Sequence, residues 1–284
     1  MFALLFVSLL WAFSFGIIKG ELTDLPPTLV AHLRLLISFI VFLPVALWLR
    51  KTSISFKLIG LGVIQFGVMY IAYIFSYQYL PGYLVAVLTI FTPLYVMIFD
   101  AMIKKRFNGQ WFLPIILSIL GAGILVYQEN NAQQWLIGFL ILQVANLAFA
   151  FGQIYYKHYD NGQASLALHS SNMANMYFGA ALFSGVMMFW QTGESLTDIE
   201  ITSRQFYFIL YLGAIASGLG FFLWNWGAKH VSAASLAIMN NGYVPLAIIL
   251  SFTLFGERPD FAKLVLGTTL IVVSLLWAHK QQAK

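Results

Sequence analysis

Ten continuous apolar segments run along this chain of 284 residues, and each is long enough to cross the hydrocarbon core of a bilayer as a helix. The predicted spans are 2–18, 27–49, 57–80, 82–102, 110–127, 135–156, 172–190, 204–227, 232–254 and 262–278. Uninterrupted apolar runs indicate helices, because the strands of a membrane barrel alternate between apolar and polar residues. With 61% hydrophobic and 9% charged residues, the sequence predicts an all-α integral membrane protein in contact with the lipid bilayer.

The second five spans repeat features of the first five. Aligning Lys19 with Lys157, an offset of 138 positions, brings several neighbouring residues into register. We predict one membrane domain that consists of an N-terminal five-helix repeat at 1–127 and a C-terminal five-helix repeat at 135–279. Because five is an odd number, the second repeat is inverted in the membrane. Secondary transporters use this plan and bind their substrate near the midplane, between the halves.

Basic residues are distributed unevenly between the predicted connections. Ten of the fifteen lysine and arginine residues fall on the side of the N-terminus, four fall on the other side, and Arg34 lies within a span. This positive-inside asymmetry predicts cytoplasmic termini in a bacterial inner membrane. The net charge of +5 then reflects this topology and contact with anionic lipid headgroups, and we expect no binding to nucleic acid.

The chain contains no cysteine, so it has neither disulfides nor thiolate metal sites. Its sequence shows no clustered metal ligands, no nucleophile motif and no phosphate-binding loop. We therefore predict no metal, no cofactor and no enzymatic activity, and a small-molecule substrate that the helices themselves bind. Ten helices can enclose a pathway alone, so we expect a monomer.

Polar side chains on the sixth span form a single stripe. Gln143, Asn146, Ala150 and Gln153 follow one another at helical spacing and place two amides near the bilayer centre. Such a stripe forms either the wall of a cavity that hydrogen-bonds a polar solute or a set of interhelical hydrogen bonds. We predict the cavity wall and assign the three amides to substrate binding.

Aromatic residues add a second candidate face. In the third span, Tyr70 and Tyr73 lie deep enough that each phenol hydroxyl needs a partner, whereas Tyr77 belongs to the interfacial belt or to packing. In the first span, Trp11 and Ser14 share one face. We predict that both tyrosines and both residues of the first span line the substrate pathway, with packing as the alternative for the tyrosines.

Prolines occur inside the fourth and ninth spans. Thr92 precedes Pro93, and Asn241 and Tyr243 precede Pro245. A proline within a helix leaves a carbonyl without its backbone donor and kinks the helix, which suits a gating hinge beside a polar cavity. We predict a hinge at both prolines and substrate contacts from the other three residues. A static kink is the alternative.

Two ionisable residues, His32 and Arg34, lie in the second span. Arg34 either extends to the outer interface, the interpretation that we favour, or attracts an anionic group of the substrate. A lone histidine is commonly structural, but His32 titrates in the right range to control a pH response of transport. All carboxylates lie at or beyond the span ends, which argues against a carboxylate-driven proton symport.

Several short motifs occur together in this order: WAFSFGIIK at Trp11–Lys19, Arg34 in the second span, the prolines, and Gly256-Glu257-Arg258 after the ninth span. Together they resemble the drug/metabolite transporter superfamily, in its ten-helix EamA-type branch. The resemblance implies ten helices with cytoplasmic ends, a central cavity between helices 1, 3, 4, 6, 8 and 9, and, commonly, export of amino acids or other metabolites. One departure is the cluster Lys104-Lys105-Arg106, which replaces the Gly-Glu-Arg pattern in the first repeat.

We therefore predict a secondary transporter that exports a small polar organic metabolite, an amino acid or related compound, by alternating access. The alternatives within transport are an importer of a cationic amine and a carrier of larger amphipathic compounds, because aromatic faces can bind cations. A membrane enzyme that acts on lipid is the alternative from another class, and the lack of catalytic motifs argues against it.

Overall fold

Every regular element in the described part of the chain is a helix. The computed structural model describes residues 2–48, 54–105, 112–126, 132–159, 165–193, 199–254, 256 and 260–282. The α-helices are α1 (Phe2–Glu21), α2 (Pro27–Trp48), α3 (Phe56–Gly62), α4 (Met69–Ser76), α5 (Gly82–Leu88), α6 (Thr92–Ile103), α7 (Phe112–Val126), α8 (Ala132–His158), α9 (Leu166–Thr192), α10 (Ser203–Tyr211), α11 (Gly220–Lys229), α12 (Ala233–Met239), α13 (Val244–Thr253) and α14 (Phe261–Gln282). The predicted all-α class is thereby confirmed.

Seven continuous helical stretches of the described chain are long and apolar enough to cross a membrane. They are Phe2–Glu21, Pro27–Trp48, Phe56–Ser76, Gly82–Ile103, Gln133–His158, Leu166–Thr192 and Ser203–Lys229. Of the other three predicted spans, α7 has 15 described residues, a turn divides the ninth span into α12 and α13, and α14 extends from Phe261 to Gln282. The protein is a multi-pass membrane protein, and the number of ten spans stays a prediction.

Helix α9 begins at Leu166, six residues before the predicted start of the seventh span. The side chain of Ser165 caps this end by accepting a hydrogen bond from the Leu168 backbone amide (3.2 Å). The polar residues just before the predicted start at 172, among them Ser170 and Ser171, are buried inside the bundle. The Ser170 side chain donates to the Leu166 carbonyl (2.8 Å).

Four predicted spans are interrupted. The third and eighth contain π-helical segments, Val63–Val68 and Leu212–Leu219. The prediction of helices at 57–80 and 204–227 did not include π-helical segments. The fourth contains a 3-10 segment, Thr89–Phe91, and the ninth contains the turn that separates α12 from α13. A π segment shifts the backbone hydrogen bonds by one residue and frees carbonyl groups for side chains, and such segments are frequent at functional sites.

Small residues let the helices approach closely. A Cβ atom on Gly62 of α3 would clash with the carbonyl oxygen of Met176, and a Cβ on Gly179 of α9 would clash with the carbonyl oxygen of Ile59. Such backbone contact between α3 and α9 is possible only without side chains at these two positions. Helix α1 is central, because it contacts α5, α11 and α13.

The loop motifs of the sequence lie partly outside the described residues. Arg106 of the basic cluster and Glu257 and Arg258 of the Gly-Glu-Arg motif are not described. Gly256 is described and has a φ of 65°, a left-handed conformation that glycine adopts without strain.

Candidate functional site

A cavity inside the bundle encloses about 530 Å³ of empty space, part of which is open to the outside. Its lining residues are Trp11, Ser14, Phe15, Arg34, Met69, Tyr70, Tyr73, Thr89, Thr92, Ala145, Asn146, Phe149, Phe221 and Tyr243. They come from α1, α2, α4, α6, α8 and α11, from the 3-10 segment and from the turn before α13. The cavity therefore draws on both halves of the chain.

The structure brings seven of the ten predicted substrate-binding residues to this lining. They are Trp11, Ser14, Tyr70, Tyr73, Thr92, Asn146 and Tyr243. The hydroxyl oxygen of Ser14 is buried and has no hydrogen-bond partner within the described structure. The substrate-binding role of these residues stays a prediction.

Arg34 is the charged residue of the lining, and it is 1% exposed. The expectation that it extends to the outer interface is wrong, because neighbouring helices hold the guanidinium inside the bundle. Its Nε donates to the Ser217 hydroxyl (3.2 Å) and its Nη2 donates to the Tyr70 hydroxyl (3.0 Å). The guanidinium carbon also lies 4.3 Å from the centre of the Tyr70 ring. Its remaining nitrogen, Nη1, is buried without a hydrogen-bond partner among the described residues.

No carboxylate in the described ranges forms an ion pair with Arg34. The ion pairs of these ranges join Asp100 to Lys104, Asp100 to His158, and Glu21 to Arg204. A buried, uncompensated guanidinium is costly, and an anion that binds at Nη1 lowers that cost. The arrangement is suited to recognition of an anionic group, because arginine presents its donors in a planar fork that matches a carboxylate.

The π segment of the eighth span positions Arg34 and its partners. Ser217 lies within this segment, and backbone carbonyls of the segment accept hydrogen bonds from side chains of other helices. Trp11 Nε1 donates to the carbonyl of Ala216 (2.8 Å), and the Tyr177 hydroxyl donates to the carbonyl of Gly218 (2.7 Å). These contacts satisfy the indole N–H, so the Trp11 side chain is held as a wall of the cavity.

Aromatic rings form most of the remaining wall. The centre of the Trp11 ring lies 4.9 Å from that of Phe221, and Phe221 lies 5.6 Å from Phe149. On another side, Phe15 stacks on Tyr243 at 5.2 Å. The cavity thus combines one cationic group with broad apolar faces, which suits a substrate with a charged end and an apolar body.

Asn146 lies on the cavity side of α8, as predicted. Its Nδ2 donates to the Leu88 carbonyl (3.1 Å) and to Gln143 Oε1 (3.2 Å). Gln143 is not part of the lining, but it supports Asn146 from one turn away and accepts a hydrogen bond from the Tyr95 hydroxyl (3.0 Å).

Gln153 does not reach the cavity. Its Oε1 accepts hydrogen bonds from Trp224 Nε1 (3.0 Å) and Asn240 Nδ2 (3.1 Å), and its Nε2 donates to Asn240 Oδ1 (3.3 Å). All three residues are fully buried. The placement of Gln153 on a cavity wall is therefore corrected: the polar stripe of α8 divides into a cavity end at Asn146 and an interhelical end at Gln153.

Two further predicted residues lie away from the cavity lining. Asn241 belongs to the turn before α13, and its Oδ1 is buried without a partner in the described structure. His32 faces α9, where its Nδ1 lies 3.3 Å from the Ser184 hydroxyl, at an apolar groove between α2 and α9. One helical span thus carries a residue of the cavity, Arg34, and a residue of another face, His32.

The two prolines lie at the starts of helices and not in helix interiors. Pro93 occupies the first turn of α6, and Pro245 occupies the first turn of α13. A proline is well tolerated there, because the first amides of a helix have no intrahelical partner. The interruption of each span precedes its proline, so the predicted mid-helix kinks are corrected to breaks between two helical segments.

Sequence reasoning missed several apolar lining residues. Phe15 lies one turn from Trp11, and Phe149 lies one turn from Asn146, so helical spacing from the predicted residues identifies both. Met69 likewise lies one turn from Tyr73. Phe221 has no such signal, because it follows the π segment of the eighth span, which contains several similar residues.

The described structure is a bundle of membrane helices with an internal cavity between them. The sequence profile of the EamA-like transporter family matches residues 1–127 and 130–278. Because the match covers nearly all of the chain, this protein belongs to the EamA-like transporter family and is a membrane transporter. The resemblance drawn from the short motifs is thereby confirmed.

Individual relatives differ in what their names say they transport. The chain is 32% identical to the biotin transporter of Salmonella typhimurium, over 99% of this chain and 93% of that protein. It is 33% identical to the probable biotin transporter of Pseudomonas aeruginosa, over 98% and 96%. It is 24% identical to a probable amino-acid metabolite efflux pump of Escherichia coli, over 96% and 94%.

A solved crystal structure of another protein has the same fold. It superposes with a TM-score of 0.67 and covers 97% of this chain and 94% of its own, at 16% sequence identity.

Proposed function

We propose that this transporter moves a small organic carboxylate, with biotin as the first candidate. The observation that carries the proposal is the unpartnered Nη1 of Arg34, a buried cationic donor in a cavity whose other walls are mainly aromatic. Biotin carries a carboxylate at the end of an apolar chain, and two relatives at 32% and 33% identity are named for biotin. In this proposal the carboxylate binds Arg34, and Tyr70 and Ser217 hold the guanidinium in place.

An amino acid is the second candidate, as the sequence predicted. The aromatic lining favours it, because the faces of Trp11 and Tyr243 can hold an ammonium group by cation–π attraction. A relative at 24% identity is named for amino-acid metabolite efflux. The lining itself contains no carboxylate to pair with the ammonium group, which makes the biotin-like substrate the stronger proposal.

We further propose that the bundle consists of two inverted five-helix repeats, ten helices in all, with cytoplasmic termini in the bacterial inner membrane. Equivalent contacts in the two halves support the repeat. Lys19, at the end of α1, donates to the Tyr77 carbonyl (2.9 Å), and Lys157, at the end of α8, donates to the Ala228 carbonyl (2.9 Å). The interruptions also recur, with π segments in the third and eighth spans and breaks in the fourth and ninth.

Alternating access fits these interruptions. The breaks before Pro93 and Pro245 lie beside the cavity, where Thr92 and Tyr243 contribute to its lining. A segment without regular helical hydrogen bonds bends more easily than a continuous helix, so the proposed gating movement occurs at these two breaks.

The test is transport by the purified protein in proteoliposomes. Labelled biotin should accumulate in or leave the vesicles faster than in protein-free vesicles, and excess unlabelled biotin should suppress this flux. Excess leucine or phenylalanine should leave it unchanged. Suppression by the amino acids together with absence of biotin flux would support the second candidate. Loading the vesicles on either side gives the direction of transport, and chemical analysis of the recovered biotin checks that no enzymatic conversion occurs.

A further inference from the structure

The orientation of the Asn146 carboxamide is determined by its surroundings. The carbonyl oxygen of Leu88, 3.1 Å away, can only accept a hydrogen bond, so the atom that faces it is the amide nitrogen Nδ2. The second N–H of the same nitrogen donates to Gln143 Oε1. Both donors are therefore used within the protein, and Oδ1 receives no hydrogen bond from the described residues.

The availability of the Leu88 carbonyl follows from the break in the fourth span. In a continuous α-helix this carbonyl would accept from the backbone amide of Thr92. Here the Thr92 amide donates to the carbonyl of Thr89 and closes the 3-10 segment. Pro93 has no N–H to offer to Thr89, so this shorter hydrogen bond supplies the missing donor. The Leu88 carbonyl therefore lacks its α-helical donor from Thr92, and Asn146 donates a hydrogen bond to it.

Gln143 and Tyr95 strengthen this orientation. Gln143 Oε1 accepts from both the Tyr95 hydroxyl (3.0 Å) and Asn146 (3.2 Å). Gln143 Nε2 is buried without a partner in the described structure. The network thus fixes Asn146 as an acceptor and leaves a buried donor on Gln143 unsatisfied, a pattern that stability alone does not favour.

Asn146 and Arg34 both line the cavity, and aromatic rings in contact connect them. Arg34 packs on Tyr70, Tyr70 lies 5.8 Å from Phe221, and Phe221 lies 5.6 Å from Phe149, one turn from Asn146. The lining therefore carries a cationic donor, a neutral acceptor, and apolar aromatic rings that lead from one to the other.

We propose that Asn146 Oδ1 accepts a hydrogen bond from an N–H group of the substrate, so that the site selects carboxylates with an amide or urea N–H at the far end. The proposal rests on the proposed function and adds a second specificity determinant to it. Gln143 and Tyr95 act as positioning residues, because they hold Asn146 in this orientation without lining the cavity.

The test combines two ligands with three proteins. The ligands are biotin and biotin methylated on its ureido nitrogens, and the proteins are wild type, Asn146→Leu and the control Gln153→Leu, which alters an amide of the same helix outside the cavity. In wild type and in the control, methylation should weaken binding about tenfold, the effect expected for losing a buried hydrogen bond. In Asn146→Leu the two ligands should bind within about twofold of each other, and biotin should bind more weakly than it binds wild type.

The positioning residues give a second arm of the same experiment. Gln143→Leu should weaken binding of biotin about threefold and leave binding of the methylated ligand nearly unchanged, because it acts through the acceptor on Asn146. A purely structural role would weaken binding of both ligands equally.

The outcomes separate this inference from the proposed function. An equal methylation penalty in wild type and Asn146→Leu overturns the role of Asn146, while biotin binding that depends on Arg34 keeps the carboxylate proposal intact. If wild type binds neither ligand and no other carboxylate, the proposed function fails and this inference fails with it.

Discussion

Two clusters of polar side chains lie inside the bundle, and they differ in whether protein partners satisfy their hydrogen-bonding groups. We call the satisfied cluster closed and the other cluster open. In the cluster of Gln153, Trp224 and Asn240, both ends of the glutamine side chain are used by protein partners. In the cluster of Arg34, Tyr70 and Ser217, one guanidinium nitrogen of the cavity-lining arginine is buried without a hydrogen-bond partner in the described structure. Both clusters come from polar residues in apolar spans. Polarity alone therefore does not distinguish a binding site from an interhelical connection. The distinguishing feature is a donor without a protein partner, as on Arg34.

The largest expected effect concerns the open cluster. Arg34→Gln removes the cationic donor for the substrate carboxylate, and we expect transport to fall by roughly a hundredfold, since a charged hydrogen bond in a buried site contributes about 2–5 kcal/mol. Arg34→Lys keeps the charge but loses the planar fork, so its flux should be intermediate. Flux in proteoliposomes, corrected for the amount of folded protein, measures both. Unchanged flux in Arg34→Gln would remove the basis for distinguishing the two clusters.

A smaller loss is expected when the support of the arginine is weakened. Tyr70→Phe removes the hydroxyl that accepts from Arg34 Nη2 but keeps the aromatic ring beneath the guanidinium. We expect the KM of transport to rise roughly five- to tenfold, as for the loss of one hydrogen bond to a charged group. The matched change Tyr95→Phe should raise KM less, because Tyr95 lies behind Gln143 and not on the cavity.

The closed cluster should respond in stability and not in transport. Gln153→Leu leaves the Trp224 indole N–H and the Asn240 carboxamide without this partner, at a cost of about 1–3 kcal/mol. We expect the Tm of the detergent-solubilised protein to fall by several degrees while flux per folded molecule stays within about twofold. A strong loss of flux at unchanged Tm would move Gln153 to the substrate pathway, as the sequence predicted.

The smallest effect is expected at His32. This residue lies at the groove between α2 and α9 and contacts Ser184, away from the cavity. We expect His32→Gln to keep flux within about twofold of wild type at pH 7, since glutamine still bonds the serine hydroxyl. Comparing flux from pH 5 to pH 8 in both proteins tests the separate expectation that His32 controls the pH response. If His32→Gln keeps the wild-type pH profile, that expectation is contradicted.

The features predicted from the sequence are those that depend on composition and periodicity. Seven predicted spans correspond to helical stretches of membrane length, some of which include a π or 3-10 segment. Asn146, Tyr70 and Trp11 reach one cavity because helical spacing places each on an inward face. The family was recognisable from motif order alone. These predictions needed no information on which helices are neighbours.

The errors arise where tertiary contacts decide. Arg34 was expected at the interface because an isolated span offers it no partner, whereas Tyr70 and Ser217 come from two other spans. The π segments and the 3-10 segment were not predicted, since the apolar pattern is the same in an α-helix. The start of α9 was placed too late, because the buried serines after Leu166 find partners that the sequence does not show.

The central claim is that Arg34 Nη1, the guanidinium nitrogen without a protein partner, binds the carboxylate of the substrate. The most direct test is equilibrium binding of biotin and of its neutral primary amide to purified wild type and Arg34→Gln at neutral pH. Wild type should prefer the carboxylate by at least about tenfold, and the variant should bind the two ligands within about twofold of each other. Equal binding of both ligands by wild type, or an unchanged preference in Arg34→Gln, would contradict the account.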